Sequence, residues 1–566
     1  MTYWPTPNLA EQTSATTPRT LKAVITPHFN DALEADHLSI RLTLQTPRCI
    51  ANASLLLFET YYGNVPAHPY TPDDIEASDA AGTLDLHFTK EDDRADQTWS
   101  VQRDTAGDIS LKFTARPRKI DITTPVGPRV DLRRDQGGLI GCGRWFLPRP
   151  AVEDVLYRHV VQWDLSCAPG GTRAVWSFGE GAGAVSRIGG VAEMINSVFM
   201  VGPIVSYPDY EGKVAAAAPG ATIYWFGSLP GNIRQLNAYS TKLFPRLAAF
   251  FRVPDSSYRV FIRKAIRGFG GGACLDSYVL EYDDSSWKED EDSLIALLSH
   301  EMIHSFTMMG AEVANGYDNG WYIEGIAELY SAFLPYRFGL CGEEYLRERL
   351  NSILTTYGTS PRIKMDMLES QKEFFNDWYA ELIPYARGCA YILQVDSCLR
   401  KITGTFEMEQ NSPLDDIIVD MGLRWRRGEQ LLAEDWLDYL RPYFGEPGAS
   451  QELQDMLKGK VLDLSDVIVI HETWNLSPRE QEILEFGFDR SSIEKRVISG
   501  VVPGSRAALA GLAEGDRVLS MSRAGICSKA FSASMDLVVE RGGIRMHVSY
   551  WPRSFQKAKV WHLKGS

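Results

Sequence analysis

Between residues 17 and 228 apolar and polar positions alternate in short runs, as in HLSIRLTLQTP and DISLKFTARP, separated by clusters of proline, glycine and aspartate. A period of two marks strands with one buried face, so this stretch predicts a β-sandwich-like domain. The most apolar long run, residues 188–207, is broken by Glu193, Asn196, Gly202 and Pro203 and predicts strands and turns, not a membrane span. The glycines of residues 178–190 lack the G-K-[ST] ending of a phosphate loop. From residue 229 the pattern changes: LPGNIRQLNAYSTKLFPRLAAFF predicts a helix, and YRVFIRKA and ACLDSYVLEY predict strands.

The next run, ALLSHEMIHSFTMMG (296–310), is apolar almost all round when wound as a helix. Such a helix is normally buried, and a buried carboxylate costs several kcal/mol unless a cation offsets it. Here His300 and His304 lie one turn apart with Glu301 beside them, which is the H-E-x-x-H spacing. Two imidazoles so placed reach one Zn²⁺, and the glutamate serves as general base. Nineteen residues separate His304 from Glu324 in NGWYIEGIAELYSAF (319–333), enough for a loop and a return helix that brings a third ligand. Gly325 inside that helix costs about 1 kcal/mol relative to alanine, which predicts close approach of another element. Glu328, one turn beyond Glu324, either accepts the second ring N–H of a ligand histidine or sits on a solvated face.

Two His, one Glu and an open fourth position make a catalytic zinc composition, whereas structural sites are closed and usually rich in cysteine. The eight cysteines form no C-x-x-C pair. The 58 basic and 73 acidic residues give a net charge of −15, which argues against a nucleic-acid partner, and a length of 566 residues predicts three or four domains. The first twenty residues show neither a basic nor an apolar leader segment, so the expected location is cytoplasmic, with no membrane partner.

HEMIH followed by WYIEGIAELY resembles the gluzincin metallopeptidases, with W-x-x-E-G as in the aminopeptidases. Two further segments resemble the glycyl aminopeptidase family. IPYARGCAYILQVDSCLRKITG (383–404) is similar to its Y-x-K-G helix, with Arg387 in place of lysine, and EFGFDRSSIEKRVISGVVPGSRAALAGLAEGDRVLSMS (485–522) is similar to a PDZ domain. The resemblance implies a multidomain α+β chain: a β-rich domain over 17–228, a thermolysin-like, mainly helical zinc peptidase domain over 229–470 and a PDZ domain over 479–566. It implies that Tyr385 donates to the oxyanion of the tetrahedral intermediate, although Tyr379 and Tyr391 nearby show how often a tyrosine there is core packing. It also implies that Phe486, Gly487 and Phe488 form a carboxylate-binding loop, holding a peptide C-terminus or an intramolecular contact.

Gluzincins bind substrate along the edge of a strand that corresponds to GGGACLDSYVLEY (270–282), where Gly271, Gly272 and Ala273 would admit a peptide. The family's glutamate for the substrate α-ammonium is missing just after these glycines. Cys274 or Leu275 stands near that place, and Asp276 is the nearest carboxylate. If strand alternation continued through it, Asp276 would share the face of Cys274. The expected activity is zinc-dependent hydrolysis of peptide bonds, aminopeptidase-like, with small residues preferred. The alternatives are the same zinc site acting on a biosynthetic substrate, or a non-catalytic PDZ scaffold.

Overall fold

The computed structural model describes residues 17–62, 65–121, 124, 129–151, 155–209, 219–286, 289–312, 316–406, 411–469, 474–522 and 524–564. The first sixteen residues, part of the stretch read above for a leader segment, lie outside these. The chain divides into two compact units: residues 1–249, 253–294 and 427–429, and residues 250–252, 295–426 and 430–566.

The first unit is built as the alternating sequence predicts. Strand Arg19–Phe29 buries every second residue, Leu21, Ala23 and Ile25 among them, and pairs antiparallel with Ala35–Leu44 and parallel with Tyr157–Trp163 in a seven-stranded sheet. Five- and four-stranded sheets complete its β-rich part, with Trp99, Trp145, Trp163 and Trp176 inside the core.

A further five-stranded sheet in this unit contains β1 (Gly220–Phe226), β2 (Ser257–Lys264), β3 (Gly270–Cys274) and β4 (Ser277–Tyr282) in the order β1-β2-β4-β3, after Ile204–Tyr207. Helix α1 (Gly231–Phe250) connects β1 to its parallel neighbour β2, as parallel pairing requires a crossover. β3 is an edge strand. Buried charges tie β2 and β4 to residues 129–133: the Arg263 guanidinium donates to Glu281 at 2.7 Å and to Asp131 at 3.0 Å, and Arg133 and Arg129 also meet Glu281.

Residues 270–282 are thus a hairpin and not one strand, which corrects the expected facing of Asp276. Leu275 and Asp276 form the turn, and Asp276 has φ of 47°. Aspartate tolerates this left-handed region better than most side chains do. Alternation ends at the turn, and the Asp276 carboxylate meets Arg187 at 3.3 Å, so it does not continue the face of Cys274.

The second unit is helical through residue 457, then mixed. Helices α2 (Glu291–Ile303), α3 (Gly320–Arg337), α4 (Glu343–Gly358) and α5 (Ile383–Thr403) carry the candidate chemistry. α3 and α5 cross backbone to backbone: a Cβ on Gly325 would lie 2.5 Å from the Gly388 carbonyl carbon, and one on Gly388 would lie 2.3 Å from the Trp321 oxygen. This close approach explains the glycine inside α3. Trp321, Tyr322, Tyr391 and Trp436 pack edge to face beside the crossing, and the Trp436 indole donates to Tyr391 at 3.2 Å.

The C-terminal part of this unit pairs β5 (Leu476–Leu484) with β6 (Arg553–Leu563) and adds a three-stranded sheet and the short helix α6 (Ala524–Lys529). β6 and α6 both pack on α4. No helix among the described residues is long and apolar enough to cross a membrane.

Candidate metal centre

α2 ends at Ile303, so His300 and Glu301 lie in its last turn and His304 just beyond it. The return helix α3 begins behind Asn319, which takes φ of 55° and anchors to the Gly310 carbonyl through its side-chain amide at 2.8 Å. This start fixes the rotation of α3 and presents Glu324 to the two histidines. His300 Nε2 is 3.0 Å from His304 Nε2, and Glu324 Oε2 is 3.1 Å from the first and 3.4 Å from the second. Among the described residues this is the group of three whose donor atoms could hold one metal ion.

The donor set fits a divalent cation. Two imidazole nitrogens and a carboxylate oxygen converge in a buried place where, without a cation or shared protons, lone pairs would face one another. Burial pushes the Glu324 carboxyl up, but His304 and the hydrogen bonds from both histidines outweigh this and hold it well below the usual carboxylate range. A buried carboxylate converging with two imidazoles is the donor chemistry that a Zn²⁺ completes.

Glu328 lies on the far side of His300, its Oε1 3.6 Å from Nδ1, and its other oxygen is ion-paired with Arg349 of α4. Burial raises the Glu328 carboxyl, and Arg349 more than offsets this and keeps it ionised. His300 Nδ1 makes no hydrogen bond among the described residues at this separation, and a small approach would give the carboxylate–imidazole contact that orients a ligand histidine. Nothing in the sequence of α4 distinguishes Arg349 from Arg347, which faces Glu344 on the surface.

Glu301 is half-buried beside the three donors, and burial raises its carboxyl above the ordinary range despite the two histidines. Tyr385 enters from the first turn of α5 and stacks on His300, ring centroids 5.9 Å apart. Burial, reinforced by Glu324 and Glu381, pushes its phenol well above the ordinary value, so it stays a proton donor. Its hydroxyl has no hydrogen-bond partner among the described residues, whereas the Tyr391 hydroxyl is in the core and the Tyr379 hydroxyl accepts the Phe486 N–H at 3.0 Å. Arg387, which stands where the family has lysine, is buried and donates to the carbonyls of Ile363 and Met456, a structural task.

The glycines expected to bind substrate belong to the first unit, and the expected carboxylate-binding loop to the C-terminal part of the second. Gly271 and Gly272 in β3 allow close packing, since a Cβ on the first would meet the Val279 carbonyl at 2.2 Å and one on the second would meet Val130 at 2.7 Å. Phe486 stacks on Trp378 at 4.3 Å, and Gly487, at φ of 78°, leaves room for Ser505 and Ala507.

No family model and no curated protein matches this chain. Solved structures do. An aminopeptidase N family protein from Idiomarina loihiensis superposes with a TM-score of 0.63 over 96% of this chain and 98% of its own, at 13% identity. The chain has that fold. A two-domain M1 zinc metallopeptidase bound to L-arginine is similar over 80% of this chain and 96% of its own, with a TM-score of 0.50 and 14% identity. The likeness concerns architecture, a β-rich N-terminal part followed by a helical region, and the chemistry is argued from the residues present.

Proposed function

We propose that this protein is a zinc-dependent hydrolase of peptide bonds, aminopeptidase-like and of the glycyl aminopeptidase kind, with His300, His304 and Glu324 as zinc ligands. The observation that carries the reading is the convergence of those three donor atoms beside Glu301 and the unpartnered Tyr385 hydroxyl. Two of the similar folds are M1 zinc metallopeptidases bound to amino acids, one to L-arginine and one to L-tryptophan.

When bound, zinc supplies Lewis-acid polarisation and lowers the pKa of water toward about 7. Glu301 takes the proton from the attacking water and returns it to the leaving amine, a double task suited to a carboxyl whose pKa burial has raised. Tyr385 donates its O–H to the oxyanion, where a rigid neutral donor contributes most in the transition state. Glu328, kept ionised by Arg349, orients His300. In this reading small residues flank the scissile bond. The ion pair of Asp276 with Arg187 counts against Asp276 as the α-ammonium anchor.

Three domains, 17–228, 229–470 and 479–566, remain the proposed organisation, the last a PDZ domain used as a docked module. The contact of its loop amide with Tyr379 supports docking over free peptide capture. Eight free cysteines support a reducing, cytoplasmic setting. A peptide-library digest read by mass spectrometry tests the function. Wild type should release N-terminal residues and Glu301→Gln should release almost none; equal cleavage by both, or no cleavage by zinc-replete wild type, would overturn the reading.

A further inference from the structure

Tyr385 is the third residue of α5, and with no hydrogen bond at its hydroxyl its place beside His300 is set by its ring packing and its backbone. From Gly388 onward α5 is held by its crossing with α3. Its first turn is held from the other side. The short helix Trp378–Glu381 runs into that turn with only Leu382 between them. Trp378 is a buried member of the core of the C-terminal part, together with Leu484, Phe486, Phe488, Val539 and Tyr550, and Tyr379 and Leu382 pack against the same core. The segment that leads into the oxyanion donor is thus built into the interior of the C-terminal part.

The contacts are directional as well as apolar. Trp378 stacks on Phe486 at 4.3 Å and meets Phe488 edge on at 5.8 Å. The Tyr379 hydroxyl accepts the Phe486 N–H at 3.0 Å, an amide of the loop expected to hold a peptide carboxylate. Just past that loop, Arg490 is ion-paired with Glu381, four residues before Tyr385, and donates to the Phe374 carbonyl at 3.2 Å. Stacked buried aromatics contribute more than a partly exposed ion pair, so the rings fix the segment and the charged contact aligns its end.

We infer that the C-terminal part is the positioning device for Tyr385: by taking Trp378 into its core and Tyr379 and Glu381 onto its loop, it sets the first turn of α5 and with it the oxyanion donor. Tyr379 and Arg490 are the positioning residues. The inference rests on the oxyanion role proposed for Tyr385. It gives the C-terminal part a share in turnover and not in capture of a foreign peptide, since the loop amide that would take a carboxylate is occupied by a hydroxyl of the same chain.

Double-mutant cycles on the full-length, zinc-replete chain test this. Arg490→Met removes the ion pair and the carbonyl contact, and Tyr379→Phe leaves the Phe486 N–H without its acceptor; each is made in wild type and in Tyr385→Phe. In wild type each should lower kcat on a peptide anilide about tenfold with KM changed by less than about twofold, the loss expected of a donor slightly misplaced. Arg490→Lys, still able to reach Glu381 as a point charge, should recover part of it. In Tyr385→Phe the same changes should cost almost nothing, because the donor they position is gone. Equal losses in both backgrounds would make the contacts stabilising only and overturn the inference, as would wild-type kcat in both Arg490→Met and Tyr379→Phe. A second readout needs no turnover: a fluorotyrosine placed at position 385 should give one fluorine resonance in the parent and a shifted or broadened one in Arg490→Met at the same zinc content. An unmoved resonance would overturn the inference; a moved one in a chain that cleaves no peptide would fault the proposed reaction and leave the positioning device standing.

Discussion

Replacing Gly388 with alanine puts a methyl carbon 2.3 Å from the Trp321 carbonyl oxygen, against an ordinary contact of 3.4 Å or more. That oxygen is helix backbone and cannot swing away, so α3 and α5 must separate by about 1 Å at the crossing, the scale of misplacement that can cost about 10²-fold in rate. Overpacking of this kind costs about 1–3 kcal/mol, and the better helix propensity of alanine returns about 1 kcal/mol. Net destabilisation should be at most about 2 kcal/mol. The catalytic effect should be larger, because α3 carries Glu324 and α5 carries Tyr385. His300, His304 and Glu324 keep their relation, since none lies on α5, while Tyr385 moves away from His300. Gly388→Ala should therefore retain zinc, unfold at slightly lower urea and lose about 10²-fold in kcat. Gly342→Ala, where an added Cβ meets nothing within 4 Å, is the matched control. Wild-type kcat and an unchanged urea midpoint for Gly388→Ala would refute the close crossing as the device that places the tyrosine.

Tyr385→Phe should lower kcat by roughly 10²- to 10³-fold with little change in KM; near-normal kcat would remove it from the oxyanion role. Arg349→Met leaves Glu328 as a buried carboxylate without its cation, and should weaken zinc about 10- to 100-fold in competition with a chelator; an unchanged affinity would refute the relay through Glu328. His159 is buried with Nε2 on the Gly190 carbonyl, and burial lowers its pKa to about 4. Its folded value lies below its unfolded one, so its contribution is complete above about pH 6.5 and is lost as pH falls from 6.5 toward 4, by about 2 kcal/mol at pH 5. His159→Gln should flatten the stability of the first unit over that window in urea titrations; an identical pH slope would contradict the assignment.

Local periodicity made much of this molecule legible. Alternation of period two located the strands from Arg19 onward, and the i, i+4 histidines located the donor set, because neighbours along one helix are neighbours in space. Gly325 announced its close partner without naming it, and Gly388 became visible as that partner only once two distant helices crossed. The hairpin at Leu275–Asp276 was missed because a two-residue turn inside a continuous apolar run leaves no break in hydrophobicity, only an aspartate able to take positive φ. Arg349 carries no local mark: it is an ordinary charged residue whose meaning comes from the Glu328 carboxylate that long-range packing sets opposite it.

The central claim is that His300, His304 and Glu324 together hold one zinc ion. Metal analysis by inductively coupled plasma mass spectrometry on purified wild type, Glu301→Gln and Glu324→Gln tests it most directly. The account predicts about one zinc per chain in wild type and in Glu301→Gln, since Glu301 is a base and not a ligand, and strong depletion in Glu324→Gln after dialysis. Full zinc occupancy in folded Glu324→Gln, or no zinc in wild type purified without chelators, would contradict it.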